Sequence, residues 1–388
     1  MRALTSVLGM PQRRYASIHV VGTNGKSSVT TLTAALLERG GLRAGAYLSP
    51  HAERWSERVL IGGAEIGERD FAVAVERVAQ AIPAVERGLK DGDVVTQFEA
   101  ATAAAFVAFA AAGVEVAVVE AGLGGRLDAT NVLSSRVTAL TSIGLEHTQY
   151  LGESALEIAG EKLDVLSEHS ALVIGTLPDE VEALARRTAA ERHARVVDAS
   201  GPVVVPAFAG RGPYLARNLA VALAAAQEIA GPLPPELAEE VASTAPLPGR
   251  VEVRHGDPDV VFDAAHNPHG AGALAEALAD IAADRPIVAC IAILEGKNAE
   301  GILAALAPCL AGAVLTEVPP GRLQGSGRPG SASIAAGELR RLALAAGIPE
   351  AEAVGEPGPA IARAIERARE RSGVALVAGS HYLLRYGS

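Results

Sequence analysis

The sequence Ile18-His-Val-Val-Gly-Thr-Asn-Gly-Lys-Ser-Ser28 is an apolar strand followed by a glycine-rich turn, and a helix-forming segment, residues 28–39, comes directly after it. Backbone N–H groups in such a turn and at the start of the helix bind phosphate, the lysine neutralises its charge, and either serine can ligate Mg²⁺. Val20 stands where the full Walker pattern has its first glycine, so an ordinary βα turn is the alternative. The strand before the turn and the helix after it favour a nucleotide-phosphate site.

A carboxylate and an imidazole follow two further predicted strands. Residues 114–120 form an apolar run that ends in Glu120, where a parallel sheet would bring the acid beside the phosphate loop to hold Mg²⁺. The alternative is an acid that caps a neighbouring loop. His147 lies just past residues 137–143, and a lone histidine is more often structural. Three strand ends with a phosphate loop, an acid and a histidine nevertheless favour a ligand for a second divalent ion.

Two α/β domains are predicted from the alternation of apolar, β-branched runs with longer segments rich in Ala, Leu and Glu. The alternation is interrupted at residues 231–248, which contain five prolines, and it resumes beyond them. We place the domain boundary there, with a first domain at 1–240 and a second at 241–388. Residues 319–333 are rich in Gly, Ser and Pro and are expected to form a mobile surface loop.

The composition excludes several classes of protein. With 49% hydrophobic and 20% charged residues among 388, the chain has ample core material and is not disordered. The 34 Lys and Arg against 45 Asp and Glu give a net charge of −11, which argues against nucleic acid and anionic membranes as partners. Cys290 and Cys309 lie in apolar surroundings typical of buried thiols. Residues 1–15 lack the apolar core of a signal peptide, and residues 100–112 are too short to span a bilayer. We therefore expect a soluble, cytoplasmic monomer.

Polar residues also gather at a predicted strand-to-helix turn of the second domain, in Asp263-Ala-Ala-His-Asn-Pro-His269. Asp263 is suited to accept hydrogen bonds from ribose hydroxyls, and Arg250 is suited to pair with phosphate. For Asn267 a helix-capping role is the alternative. In the first domain, Lys162 lies on a polar helical stretch, which by itself predicts a solvated charge.

Taken together, the motifs resemble the folylpolyglutamate synthase and dihydrofolate synthase family, within the Mur-ligase superfamily of ATP-dependent amide ligases. Besides the phosphate loop, Pro248-Gly-Arg250 and the Asp263 motif, the resemblance rests on Ser49-Pro-His51 with Trp55-Ser-Glu-Arg58, Thr96-Gln-Phe-Glu99, Glu120-Ala-Gly-Leu-Gly-Gly-Arg-Leu-Asp-Ala-Thr-Asn131, Ser142-Ile-Gly-Leu-Glu-His-Thr148, Glu161-Lys162 and Gly379-Ser380. It implies an α/β fold in which an N-terminal P-loop ATPase-type domain with a mostly parallel sheet precedes a smaller Rossmann-like C-terminal α/β domain that closes over ATP.

The resemblance also implies roles for individual residues. ATP would contact Gly22, Thr23, Asn24, Gly25, Lys26, Ser27, Ser28, Asn218, Arg250 and Asp263. Two Mg²⁺ ions would be ligated by Ser27, Ser49, Glu120 and His147. The pterin part of the substrate would contact Thr96, Gln97, Phe98, Glu99, Leu127, Asp128 and Ala129, and the incoming glutamate would lie near His266 and Ser380. The catalytic residues would be Lys26, a carbamylated Lys162, and His266, which is our choice of general base.

The implied activity is that of an ATP-dependent ligase, which phosphorylates a carboxylate and lets the amine of L-glutamate displace the phosphate to form an amide. The acceptor stays open between a dihydropteroate, a reduced folate, or both. The alternatives are a Mur-type ligase with another carboxylate acceptor and a noncatalytic nucleotide-binding module.

The chain departs from the family's pattern at several positions. The phosphate loop reads Lys26-Ser-Ser28 where Lys-Gly-Ser or Lys-Gly-Thr is common, and Leu-Asp-Val follows Lys162 where Ala-Gly-Ile is common. Glu295-Gly-Lys-Asn298 replaces an Asp-Lys-Asp-like turn, and Gly379-Ser-His381 replaces Gly-Ser-Leu. Because the chain starts close to Leu8-Gly-Met-Pro11, we expect the segment that covers the pteridine to be largely absent.

Overall fold

The computed structural model describes residues 1–51, 53–90, 92–320 and 332–387, and the chain forms two compact units. The first unit contains residues 1–207 and 216–245, and the second contains residues 208–215 and 246–388. Most of the segment 319–333, which we predicted to be a mobile loop, lies outside the described residues.

The first unit is built on an eight-stranded sheet. Its strands are β1 (Ala16–Val21), β2 (Ala44–Tyr47), β3 (Val59–Ile61), β4 (Ala64–Glu65), β5 (Val116–Glu120), β6 (Val137–Leu140), β7 (Ala171–Ile174) and β8 (Arg195–Asp198). They are arranged in the order β4-β3-β2-β5-β1-β6-β7-β8. All neighbours from β2 to β8 in this order are parallel, whereas β3 and β4 add an antiparallel edge.

Helices connect these strands, as the alternating sequence pattern predicts. They are α1 (Arg2–Val7), α2 (Lys26–Arg39), α3 (Glu68–Glu86), α4 (Gln97–Ala111), α5 (Thr148–Leu151), α6 (Ala155–Leu163), α7 (Asp179–Glu191), α8 (Pro213–Ala230) and α9 (Pro235–Thr244). Short 3₁₀ turns occur at Pro11–Arg13, Trp55–Arg58 and Pro206–Phe208. A threonine or serine comes directly before two of these helices: Thr96 caps α4 and Ser154 caps α6, each with a glutamate three residues later that completes a capping box.

The second unit contains a six-stranded sheet in the order β13-β12-β11-β14-β10-β9. These strands are β9 (Glu252–Arg254), β10 (Asp259–Phe262), β11 (Ile287–Ile291), β12 (Leu310–Leu315), β13 (Ala351–Ala353) and β14 (Val374–Ala378). Only the β9–β10 pair among them is antiparallel. The helices are α10 (Pro268–Ala282), α11 (Ala299–Leu306), α12 (Ala336–Ala345), α13 (Pro357–Glu370) and α14 (His381–Leu384), with 3₁₀ turns at Ala307–Cys309 and Arg385–Gly387.

Alternate residues of β11 show that helices cover both faces of the second sheet. Ala289 and Ile291 pack into one buried cluster with residues of α10, α11 and α12. Val288 and Cys290 pack into another cluster with residues of α13 and α14. Since successive side chains of a strand point to opposite faces, the two clusters lie on the two sides of the sheet. This is the doubly covered arrangement of a Rossmann-like unit.

The central position of β1 in the first sheet determines where the site forms. β1 lies between β5 and β6 and pairs with both in parallel, with Val20 opposite Glu120 and Val21 opposite Leu140. The strands β5 and β6 are buried along their whole length, which agrees with their continuous apolar sequences. Their carboxyl ends therefore meet at one edge, immediately next to the phosphate loop.

The predicted α/β class with two mostly parallel sheets is confirmed, and the division between the units differs in detail from the predicted boundary at residues 240 and 241. Helix α9 continues to Thr244, and the first unit ends at Ala245. Residues 208–215 join the second unit because Arg211 donates hydrogen bonds to the carbonyl oxygens of Arg250 and Val251, while Tyr214 donates to Asp263.

Two further expectations concern burial. Cys290 is fully buried, as predicted, and burial raises the pKa of its thiol, whereas Cys309 is partly exposed. Across the described ranges, we find no helix that is both long enough and apolar enough to cross a membrane.

Candidate functional site

The phosphate loop, residues 22–28, follows β1 and leads into α2. Gly25 has a φ of 84°, in the left-handed region that glycine tolerates, and a side chain on Gly22 would overlap Thr141. The Lys26 ammonium donates hydrogen bonds to the carbonyl oxygens of Gly22 and Thr23 at 3.1 and 3.0 Å. The lysine thus lies folded across its own loop, where it is close to any phosphate bound by the loop.

Thr141 and Ser142, which directly follow β6, form hydrogen bonds with the backbone of the phosphate loop. The Thr23 amide donates to the carbonyl oxygen of Ser142 at 2.7 Å, and the Asn24 amide donates to the Ser142 hydroxyl at 3.1 Å. The Thr141 hydroxyl in turn donates to the carbonyl oxygen of Asn24 at 2.6 Å. These bonds fix the backbone of the loop before any ligand binds.

Glu120 connects the phosphate loop with the segment after β2. Its carboxylate accepts a hydrogen bond from the Ser27 hydroxyl at 3.0 Å and another from the Ser49 amide at 3.1 Å, and it is almost fully buried. Hydroxyl and carboxylate oxygens are the ligands that Mg²⁺ prefers, so the Ser27 hydroxyl and the Glu120 carboxylate fit a magnesium ion, while Ser49 contacts Glu120 through its amide. The structure brings together three of the four predicted metal ligands.

His147, the fourth predicted ligand, directly precedes the short helix α5 and has a φ of 51°. Its Nε2 lies 3.5 Å from the Glu146 carboxylate. Within the described part of the chain, no group of three or more His, Cys, Asp or Glu side chains lies close enough together to hold a metal ion. The role of His147 as a metal ligand stays a prediction.

Asn218, on α8, lies against the phosphate loop. Its Oδ1 is 2.5 Å from the point where a β-carbon on Gly25 would stand. Among the described residues nothing accepts a hydrogen bond from its buried Nδ2. A buried amide donor without a partner is costly, and an oxygen of a bound nucleotide would satisfy it. The contact brings Asn218 beside the loop, and its role in binding ATP stays a prediction. The buried Ser28 hydroxyl, in the first turn of α2, also has no hydrogen-bond partner among the described residues.

Lys162 is buried near the end of α6, so the interpretation as a solvated charge is wrong. Burial lowers the pKa of its amine to about 7, and the positive charge of Lys26 acts in the same direction, whereas Glu146 and Asp128 oppose it. The burial arises because residues 122–125, which we call the glycine turn, pack on α6. A β-carbon on Gly125 would lie 2.5 Å from the Glu161 carbonyl oxygen and 3.0 Å from the Lys162 α-carbon.

The predicted pterin segments meet at the glycine turn. The Phe98 ring lies so close that a β-carbon on Gly122 would be 2.4 Å from it. Thr96 and Glu99 form the capping box of α4. Burial acts to raise the pKa of Glu99, but hydrogen bonds from the Met1 ammonium and from Thr96 outweigh it, so the pKa is lowered. Gln97 is the first residue of that helix.

The second predicted pterin segment, residues 127–129, combines exposed and buried side chains. Leu127 is 87% exposed, and Ala129 is buried. The Asp128 carboxylate is also buried and accepts hydrogen bonds from the Leu123 amide at 2.8 Å and from the Thr130 amide at 2.9 Å. Burial raises its pKa, although these bonds act against the increase. Leu127 is therefore the accessible apolar surface of this segment.

In the second unit, Asp263 at the end of β10 is buried and organises the surrounding turn. Its carboxylate accepts hydrogen bonds from the amides of Val251 and Ala265, at 2.9 and 2.8 Å, and from the Tyr214 hydroxyl at 3.2 Å. Burial raises its pKa, and the positive charge of Arg250 acts against the increase.

His266 and Asn267 follow in the same turn. The His266 Nδ1 lies 3.0 Å from the Ala264 carbonyl oxygen, and its ring centre is 5.7 Å from that of His381. Asn267 caps α10 by accepting a hydrogen bond from the Gly270 amide at 2.7 Å, so the capping alternative is confirmed. Ser380 caps α14 through the Tyr382 amide.

Several residues near the site lie in the quoted motifs but were given no individual role from the sequence. His19 and Thr130 form a buried hydrogen bond of 2.7 Å. In the segment after Ser49, the Arg58 Nε–H donates a hydrogen bond of 2.9 Å to the His51 Nδ1, and the Arg58 guanidinium lies over the Trp55 ring. The signal that could have indicated a role for His19 is its position as a histidine inside the otherwise apolar strand β1.

The chain is similar to known proteins over most of its length. The family described as "Mur ligase, glutamate ligase domain" matches residues 249–381. The chain is 34% identical to the dihydrofolate synthase/folylpolyglutamate synthase of Mycobacterium tuberculosis over 89% of this chain and 76% of that protein. It is 31% identical to the Escherichia coli protein of the same name over 74% of this chain and 69% of that protein.

Solved structures resemble the chain over its length. The Mycobacterium tuberculosis folylpolyglutamate synthase complexed with ADP and AMPPCP has a TM-score of 0.90 at 29% identity, covering 100% of this chain and 93% of that one. The Escherichia coli protein in complex with DHPP and ADP has a TM-score of 0.81 at 26% identity, covering 99% and 90%. A Yersinia pestis structure complexed with AMPPNP and Mn ion has a TM-score of 0.79 at 27% identity, covering 99% and 90%.

Proposed function

The chain belongs to the dihydrofolate synthase/folylpolyglutamate synthase family, a family of ATP-dependent glutamate ligases, and we propose on this basis how its own residues carry out the reaction. The acceptor is a pterin-containing carboxylate, a dihydropteroate or a reduced folate. One carboxylate oxygen attacks the γ-phosphorus of ATP, ADP leaves, and an acyl phosphate forms. The amine of L-glutamate then attacks the acyl carbon, phosphate leaves with the transferred oxygen, and the amine loses a proton.

The observation that carries this proposal is the position of the Glu120 carboxylate between Ser27 and Ser49, at the edge of the sheet where the phosphate loop begins. A divalent ion held by these residues would offset the negative charge that accumulates during phosphoryl transfer. His147 is the proposed ligand of a second ion. The loop backbone and Lys26 bind and orient the phosphates, and the buried amide of Asn218 supplies a further donor.

Lys162 is proposed to be carbamylated. The reaction requires a neutral amine, whose nitrogen attacks the carbon of CO₂ and releases a proton to solvent. A buried amine with a pKa of about 7 is neutral in a large share of molecules near neutral pH. The product carries a negative charge close to Lys26, and so it removes the repulsion between two neighbouring ammonium groups.

The acceptor is proposed to bind at the glycine turn. Phe98 packs on one side of the turn, and the exposed Leu127 offers an apolar surface on a neighbouring segment. Residues of the second unit are proposed to contribute to the binding of ATP and of L-glutamate. Arg250 and Asp263 bind the nucleotide, whereas Ser380 and His266 lie near the incoming glutamate.

His266 is the proposed general base for the glutamate amine. Because its Nδ1 donates to the Ala264 carbonyl oxygen, the neutral ring carries its proton on Nδ1 and Nε2 is the basic nitrogen. A His266→Gln variant should lose most of the amide-forming step while it still binds ATP.

The experiment that tests the function incubates the purified chain with ATP, Mg²⁺ and L-glutamate, with dihydropteroate in one reaction and tetrahydrofolate in another. Products are identified by mass spectrometry. A gain of one glutamate residue that depends on ATP identifies the acceptor. No gain with either pterin, while ATP still binds, would favour a Mur-type ligase with another carboxylate acceptor. ATP binding without phosphate release under any of these conditions would favour a noncatalytic nucleotide-binding module.

A further inference from the structure

A buried chain of hydrogen bonds leads from β1 to the segment that follows the glycine turn. His19, in the middle of β1, has its Nε2 2.7 Å from the Thr130 hydroxyl oxygen. That hydroxyl donates to the Asp128 carboxylate at 2.5 Å. All three side chains are buried, so water does not compete strongly for these bonds.

The direction of each bond follows from the number of protons. The Thr130 hydroxyl has one hydrogen, and because it donates this hydrogen to the carboxylate, its oxygen accepts from His19. His19 must therefore carry a proton on Nε2. Burial lowers the pKa of His19 to about 4, so the ring is neutral near pH 7 and has this one proton to donate.

The Asp128 carboxylate connects the His19–Thr130 pair with the glycine turn through hydrogen bonds. One oxygen accepts from the Thr130 amide and hydroxyl, and the other accepts from the Leu123 amide inside the turn. The turn contacts Phe98 at Gly122 and the backbone of α6 at Gly125. A displacement of the carboxylate would therefore move the glycine turn beside Phe98, where we propose that the acceptor binds.

We propose that His19 is a positioning residue that acts through Thr130 on Asp128 and so fixes the acceptor-binding glycine turn, an inference that rests on the proposed function. His19 precedes Gly22 by only three residues on the same strand. One rigid strand thus carries both the phosphate loop and the anchor of the acceptor turn, and it holds the two at a constant distance.

The test compares two pairs of variants in the full chain. Thr130→Val removes the hydroxyl at nearly constant volume, and Thr130→Ser retains it. His19→Leu removes the donor, and His19→Gln supplies an N–H group in its place. The measurements are kcat, the KM for the acceptor and the KM for ATP, together with the thermal unfolding midpoint.

We expect Thr130→Val and His19→Leu to raise the KM for the acceptor about tenfold, because each breaks the buried series of hydrogen bonds that runs from His19 through Thr130 to the Asp128 carboxylate. The KM for ATP should change less than twofold, and Thr130→Ser and His19→Gln should restore most of the acceptor affinity. The double variant His19→Leu with Thr130→Val should be no worse than either single variant, because both break one chain.

A structural role without positioning gives a different pattern. In that case the unfolding midpoint falls while both KM values stay within twofold of the wild type, or both KM values rise together, and either result overturns the proposal. Hydrogen exchange gives a readout that does not need turnover: amides of residues 121–131 should exchange faster in Thr130→Val than in Thr130→Ser. If the wild-type chain adds no glutamate to any pterin, the proposed function fails, whereas an active wild type with unaffected variants refutes only the role of His19.

Discussion

The Ser27 hydroxyl donates a hydrogen bond of 3.0 Å to the Glu120 carboxylate, although 93 positions separate the two residues in the chain. The parallel pairing of β1 and β5, with Val20 opposite Glu120, brings them together. Glu120 is the last residue of the buried strand β5, and Ser27 lies in the first turn of α2, which the phosphate loop joins to β1.

Glu120→Gln should lower turnover about 100-fold at saturating ATP and Mg²⁺, because the amide retains the size of the side chain but removes the charge that a divalent ion requires. Steady-state phosphate release measures the effect. The matched control is Glu115→Gln, since Glu115 lies just before the same strand and accepts a bond from the Arg43 amide, away from the loop. The metal assignment would be refuted by a Glu120→Gln protein as active as this control.

Gly25→Ala should weaken ATP binding at least tenfold, because a β-carbon there would lie 2.5 Å from Asn218 Oδ1 and would displace the loop. Gly41→Ala is the control: Gly41 has a φ of 89°, close to the 84° of Gly25, but no described atom within 4 Å. Both substitutions should therefore carry a similar backbone strain of about 1–2 kcal/mol. Isothermal titration calorimetry with a nonhydrolysable ATP analogue measures the affinity. Equal affinities of the two variants would contradict the contact.

Lys162 should make stability depend on pH. The folded lysine releases its proton near pH 7, and the unfolded lysine releases it near 10.5, so between these values the unfolded state binds more protons. The free energy of unfolding of the wild type, compared with Lys162→Met, should therefore rise with pH across this window, by up to about 1.4 kcal/mol per unit. Below pH 7 the cost of the buried ammonium is fully present, and Lys162→Met should be the more stable protein.

Urea unfolding in buffer free of CO₂ measures this difference, and added bicarbonate should stabilise the wild type and not the variant. Lys90→Met, which removes an exposed lysine, is the control. A difference between wild type and Lys162→Met that does not change from pH 6 to pH 10 would show that the amine titrates as in water.

Asn267→Ala should lower the free energy of unfolding by about 1 kcal/mol, because the Gly270 amide at the start of α10 loses its partner. Asn267→Asp should restore most of the loss. Asn298→Ala is the matched control in the same unit, since Asn298 caps α11 through the Gly301 amide at 2.8 Å. Chemical denaturation of all three proteins checks the magnitude, and an Asn267→Ala protein of wild-type stability would contradict the capping role.

The parts of the fold and site that depend on local sequence could be predicted. The apolar run of β5 ending in Glu120, the strand–turn–helix around Lys26 and the cap at Asn267 follow from patterns of a few residues. The parallel pairing of the central strands follows from the helices that join them, because a parallel pair needs a crossover connection.

The remaining features depend on contacts between distant segments. Lys162 is buried because the glycine turn packs on α6, about 40 residues away in the chain, and its own polar helix gives no sign of this. His19 acts through Thr130, which is 111 positions away. Residues 208–215 belong to the second unit because of contacts such as that of Tyr214 with Asp263, which a boundary drawn from proline content does not detect.

The most direct test of the reaction follows an oxygen atom. The acceptor is labelled with ¹⁸O in its carboxylate and incubated with ATP, Mg²⁺, L-glutamate and the purified chain, and the released phosphate is analysed by mass spectrometry. The proposed acyl phosphate predicts one ¹⁸O in the phosphate for each amide formed, because the attacking oxygen leaves with the phosphoryl group. Amide formation with unlabelled phosphate would contradict it.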